Sequence, residues 1–190
     1  MNIVAAAVVG ALALSVVVGG QVPGPVTTVA AVDLTRYEGQ WFEVARFENR
    51  FQRQCVGDVR ATYTRRSDGR IDVLNTCRTT SGSMTSVLGE ARVVDTASNA
   101  KLEVRFAPSW LSFLPMVWGD YWVIGLDPSY RWAVVGEPSR EYLWILSRTP
   151  TLDTATYDHA VAMARAVGFD VQRLVKTAPA VGSPGSLASP

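Results

Sequence analysis

The sequence predicts an all-β fold, an eight-stranded up-and-down antiparallel β-barrel with one C-terminal α-helix packed outside. Three observations carry that expectation. Short segments alternating apolar and polar residues, the pattern of half-buried strands, recur between turn signals. The connections are mostly short, which favours pairing between sequence neighbours. A single helical periodicity follows the last of these segments. A barrel of this size has an interior that side chains fill or that holds one small ligand.

The ends of the chain read differently from the middle. Met1–Gly20 carries no charged side chain, and Ile3–Val18 is apolar or small apart from Ser15. It is shorter than the roughly 20 residues of a comfortable membrane span. Residues 1–20 are read as a secretory signal peptide and 21–31, with Pro23 and Pro25, as a linker. An uncleaved N-terminal anchor is the alternative. The barrel domain is expected over 32–177 and a disordered Pro/Gly/Ser/Ala-rich tail over 178–190. The protein is thus expected to be exported, to the periplasm, cell envelope or exterior.

The 190 residues are 48% hydrophobic and 18% charged, enough apolar material for the core of one domain. A net charge of +1 gives no electrostatic footprint for nucleic acid.

The elements follow in order. Asp33–Tyr37 is a polar turn, Gly39 suits a positive φ, and Trp41 precedes an alternating strand over Phe42–Arg46. Val56–Thr64 and the segment from Ile71 to Asn75 flank the hairpin signal Ser67-Asp68-Gly69. Val87–Val93 and Lys101–Phe106 alternate cleanly. Ala107–Gly119 breaks the pattern with two prolines while staying strongly apolar. It is either a loop tucked over the core or an apolar lip at a pocket mouth or membrane-touching edge. Tyr121–Leu126, Tyr130–Gly136 and Tyr142–Ser147 are strands apolar on both faces, so something must cover their outside. Asp153–Val167, with Asp153 as N-cap and Gly168 as stop, is the amphipathic helix that does so. Leu174-Val175 then adds a short last strand.

Cys55 and Cys77 lie on either side of the first hairpin. An even pair in an exported chain favours a disulfide, though a bulge or diagonal offset is needed to bring them together. Two separate buried thiols are the alternative.

Alternation assigns Ala61, Tyr63, Val73, Asn75, Ala91, Val104, Phe106, Tyr121, Val123, Tyr142 and Trp144 to the inward face. Gly89, Ala91 and Gly125 are small residues expected to leave room there. Asp72, Glu90 and Glu103 face the other way and are expected to be solvated. His159 is the single histidine and falls on the polar side of the helix, so no histidine-based triad or metal site is expected. No glycine-rich phosphate loop precedes a helix. Neither a cofactor nor a metal is expected.

Three blocks resemble the lipocalin family, specifically its bacterial outer-membrane and apolipoprotein-D-like branch. They are Tyr37-Glu38-Gly39-Gln40-Trp41-Phe42-Glu43, Tyr121-Trp122-Val123-Ile124-Gly125-Leu126-Asp127 with Tyr130, and Tyr142–Pro150. The resemblance runs from about Val32 to Lys176. In that family the signature tryptophan packs at the closed barrel end beneath an arginine from the last barrel strand. The matching positions make Gly39, Trp41 and Arg148 barrel-closure residues. Bacterial members are often lipid-anchored through an N-terminal cysteine, which this chain lacks, so no such anchor is carried over.

The resemblance implies a carrier for a small hydrophobic ligand, a fatty acid or lysophospholipid, with no catalytic residue. Tyr63, Val73, Asn75, Val104, Phe106, Tyr121, Tyr142 and Trp144 are the expected ligand-binding residues, with the tyrosine hydroxyls and Asn75 orienting a polar head group. Two alternatives stand. One is an enzyme on a lipophilic substrate, as in a few lipocalin-like isomerases and de-epoxidases, needing a free thiol or a buried acid in the barrel. The other is an envelope interaction protein that touches a membrane through Trp110–Trp118. A monomer or weak dimer is expected.

Overall fold

The computed structural model describes residues 24–108 and 111–179. The expected signal segment 1–20, Trp110 and nearly all of the expected tail lie outside them. The chain forms β1 (Gly39–Phe47), β2 (Cys55–Arg65), β3 (Ile71–Thr79), β4 (Met84–Val93), β5 (Lys101–Arg105), β6 (Gly119–Leu126), β7 (Trp132–Gly136), β8 (Leu143–Ser147) and β9 (Leu174–Lys176). A one-turn helix α1 (Leu34–Tyr37) precedes β1, and α2 (Thr154–Ala166) follows β8. Each of β2 to β8 pairs antiparallel with its sequence neighbours, and β1 pairs with both β2 and β8. That double pairing closes an eight-stranded barrel, and β9 adds to β1.

The inward and outward faces carry separate cores. Inside lie Trp41, Tyr63, Ile71, Val73, Ala91, Leu102, Val123, Val135 and Leu146. Outside, Ile124, Trp132, Val134, Leu143 and Ile145 pack under α2. This is why the late strands are apolar on both faces. Asp153 caps α2 by accepting from the Thr156 N–H at 2.9 Å. Ala160 and Ala164 are fully buried, and such small side chains let the helix sit close to β6 and β7. His159 is exposed, with its ring edge-on to Trp132.

Gly125 corrects one expectation. Its missing Cβ faces outward, 3.1 Å from Met163 of α2, so it admits the helix rather than a ligand. Glu90 corrects another. It is only 9% exposed, and Arg70, Arg66 and Arg105 donate to it at 2.6, 3.1 and 3.2 Å on the outer wall.

Cys55 and Cys77 form a disulfide with Cα atoms 5.5 Å apart. The pairing of β2 with β3 shifts register twice, between Cys55 and Gly57 and between Gly57 and Arg60. Cys55 ends opposite Thr79, so the bond is diagonal. Part of the stretch expected to be a linker lies on the barrel. Val26 is buried in the outer core, and the Val29 N–H donates to the Val123 carbonyl at 2.9 Å.

Candidate functional site

The barrel has one end closed around Trp41. This side chain is fully buried, and its Nε1–H donates to the Tyr37 carbonyl at 2.8 Å. The Arg148 guanidinium lies 3.9 Å from the centre of the indole and donates to the carbonyls of Gln40, Arg36 and Glu38 at 2.7–2.8 Å. The cation over the π face and the satisfied carbonyls join the chain before β1 to the end of β8. Gly39 has φ +89°, in the left-handed region that favours glycine, with Arg148 3.5 Å from where a Cβ would be.

Above this base, three tyrosines meet. Tyr121 Oη is 2.8 Å from Tyr37 Oη and 2.9 Å from Tyr63 Oη. Burial pushes the Tyr63 hydroxyl up to about 12 and raises Tyr37 and Tyr121 well above the ordinary tyrosine value. The Tyr63 and Tyr121 hydroxyls, expected to orient a head group, are instead bonded to each other, and Tyr121 also to Tyr37. The cavity beside them measures only about 20 Å³, so the lower lumen is core. A raised folded-state value means the native barrel binds these protons more tightly than the unfolded chain. Their contribution is present below pH ~10, the unfolded value, and is lost as pH rises through the folded values. Tyr37, Tyr63 and Tyr121 are expected to form tyrosinate only together with loss of near-UV circular dichroism. Tyrosinate formed at these three residues with the barrel intact would contradict this.

The upper lumen is more open. Phe106 and Val87 are on the inward side yet 41% and 47% exposed. Phe106 lies over Gly89, whose missing Cβ would fall 2.5 Å from the ring, so the room at Gly89 is already taken. Asn75 sits between Ala61 and Val87 on the same side, half-buried, and its amide has no hydrogen bond among the described residues. Val73 is buried and Val104 half-buried against the interior core. Tyr142 stacks on Trp144 with ring centres 6.0 Å apart, and Phe51 reaches Tyr142 at 5.9 Å. The expected set therefore divides. Tyr63, Val73, Val104 and Tyr121 border the small lower cavity, while Asn75, Phe106, Tyr142 and Trp144 belong to the open half.

The upper half also carries a polar wall that strand alternation does not name. A bulge in β1 between Glu43 and Ala45 sets Glu43 opposite Leu146 and Arg46 opposite Trp144, so both face inward. Glu43 is buried and accepts from Arg46 and Gln52, each at 2.6 Å. Gln52 also accepts from the Trp144 Nε1–H at 3.1 Å and the Asn49 Nδ2–H at 2.7 Å. These bonds pin the 48–54 connection across the mouth. A cavity of about 490 Å³ opens there, lined by Arg46, Glu48, Asn49, Arg50, Gln52, Arg53 and Cys55.

The lipocalin-like domain family matches the chain over residues 32–179. The chain is a lipocalin. It is 43% identical over 164 residues to temperature-induced lipocalin-1 of Arabidopsis thaliana, covering 85% of this chain and 87% of that protein. It is 40% identical over 154 residues to the outer membrane lipoprotein Blc of Escherichia coli K12, covering 80% and 82%. Apolipoprotein D of Mus musculus is 28% identical over 153 residues, covering 76% of each. Among solved structures, insecticyanin from the tobacco hornworm Manduca sexta superposes with a TM-score of 0.64 at 17% identity, covering 85% of this chain and 88% of that one.

Lipocalins bind small hydrophobic ligands. Both cysteines of this lipocalin are in the disulfide, which leaves no thiol nucleophile. Glu43 is a buried acid inside the barrel, but Arg46, Gln52 and Thr177 hold its oxygens. No cluster of metal-ligating side chains occurs among the described residues. The apolar 107–119 segment divides. Trp118 packs between Arg92 and Arg105 on the outer wall, 4.2 and 5.2 Å from their guanidinium carbons, while Phe113 and Met116 stand 74% and 85% exposed at the open end.

Proposed function

We propose that this lipocalin is an exported carrier that takes up one single-chain lipid, a fatty acid or lysophospholipid, through the open end. The observation that carries the reading is the contrast between the two halves of the lumen. The base is filled and closed by Trp41 and the tyrosines, while the mouth has an aromatic ladder of Phe51, Tyr142 and Trp144 leading inward. An alkyl chain lying along that ladder gains roughly 0.8 kcal/mol per methylene buried. The disulfide supports an oxidising compartment. The exposed Phe113 and Met116 support loading at a membrane surface, since both stand at the same end as the mouth.

Delipidated protein is expected to bind a long-chain fatty acid or lysophospholipid one-to-one by native mass spectrometry, with quenching of tryptophan fluorescence. Trp144→Ala is expected to weaken binding about tenfold, the scale of ~1.4 kcal/mol. Phe113→Ser with Met116→Ser is expected to slow uptake from vesicles while leaving affinity for dispersed lipid unchanged. Absence of saturable uptake of any single-chain lipid would end the carrier reading. Equal vesicle kinetics in the double variant would end the membrane-loading part alone.

A further inference from the structure

We propose that the 490 Å³ cavity at the open end is an oxyanion site, holding the carboxylate or phosphate head of the bound lipid with Arg50, Arg53 and Arg46. The inference rests on the carrier reading and adds the chemistry of the head group to it. Three guanidiniums and one carboxylate, Glu48, line this cavity. Glu43 already neutralises Arg46. Arg50 and Arg53 form no ion pair among the described residues.

A second observation points the same way. The Nε–H of Arg46 is buried and has no acceptor among the described residues. An unmet buried donor is costly, and guanidinium donors favour oxyanions through short charge-assisted bonds. A lipid oxyanion in this cavity meets that donor and the two unpaired cations together.

The turn that carries Arg50 is held in place. Asn49 caps the turn Arg50–Gln52 by accepting from the Phe51 and Gln52 N–H groups at 3.1 and 3.0 Å. Gln52 ties that turn to Trp144 and Glu43. Arg50 lies 4.9 Å from the Phe51 ring, at the outer end of the aromatic ladder that receives the alkyl chain. The cavity wall at Arg50 therefore adjoins the outer end of the chain path at Phe51.

The test compares lipids of one chain length bearing different heads: a fatty acid, a lysophosphatidate and the corresponding fatty alcohol. Wild-type protein is expected to bind the two oxyanionic lipids at least tenfold more tightly than the alcohol, with the preference shrinking as salt rises. Arg50→Gln with Arg53→Gln is expected to bring all three to the alcohol's affinity, with an unchanged unfolding midpoint. The ratio of fatty acid to lysophosphatidate reads which oxyanion fits. A wild-type protein that binds the alcohol as tightly as the acid, or a double variant that keeps the preference, overturns the site while the carrier reading stands. Failure to bind all three lipids overturns both.

Discussion

Trp41→Ala is expected to destabilise the barrel by about 3–5 kcal/mol, the range for truncating a large buried aromatic. The side chain is fully buried and fills the closed end. Its loss leaves the Tyr37 carbonyl without the indole donor and Arg148 without the π face beneath it. Arg148 still holds three backbone carbonyls, so the terminal turn is weakened rather than released. Domains of this size have net stabilities of about 5–15 kcal/mol, so the variant sits near the threshold of folding. Trp41→Phe keeps the apolar volume but not the N–H donor, and is expected to lose less. Denaturant unfolding monitored by circular dichroism checks both. A Trp41→Ala midpoint equal to wild type would show that the base closes without the indole.

What the sequence disclosed followed from local rules. Alternation names the inward residues of β2 to β6 because the side-chain period in a strand is two, and one face is buried. The apolar outer faces of β6 to β8 call for a cover, and the spacing of Tyr157, Ala160, Val161 and Ala164 supplies the helix. Asp153 and Gly168 mark its ends by capping chemistry.

What remained hidden depends on departures from period two and on contacts distant in sequence. The bulge at Val44 turns Glu43 and Arg46 to the same side, which alternation through Phe42–Arg46 does not reveal. Gly125 and Gly89 suggest space in the sequence, yet Met163 and Phe106 occupy it, because a missing Cβ says nothing about which neighbour arrives. The tyrosine hydroxyls come from α1, β2 and β6, and only the closed barrel brings them together. The end of β9 is another such contact. Thr177 and Ala178 enter where β2 leaves β1, bonding to Val44 and Asp58. Gly57 makes this approach feasible, since a Cβ there would meet the Ala178 carbonyl at 2.7 Å.

Glu43→Ala is expected to be the other strongly destabilising substitution, at about 3–5 kcal/mol, the cost of breaking a buried ion pair from one side. The carboxylate is the common acceptor for Arg46, Gln52 and Thr177. Without it, the Arg46 guanidinium retains only the Thr177 hydroxyl and the Cys55 carbonyl, both at 3.3 Å, and its Nε–H already lacks an acceptor. Gln52 loses one of the bonds that fix the 48–54 connection, so the mouth loosens as the wall weakens. Glu43→Gln keeps an acceptor for Gln52 and is expected to cost less. Replacing the whole pair by Glu43→Met with Arg46→Leu is expected to recover part of that loss, because no unpaired ion stays buried while Gln52 and Thr177 still lose their acceptor. The same double variant is expected to bind oxyanionic lipids less selectively, since Arg46 is part of the cavity wall. A midpoint above that of Glu43→Ala with poorer head-group discrimination, read by unfolding and lipid titration together, would locate the value of the ion pair in binding. A double variant as unstable as Glu43→Ala would instead make the pair a folding requirement.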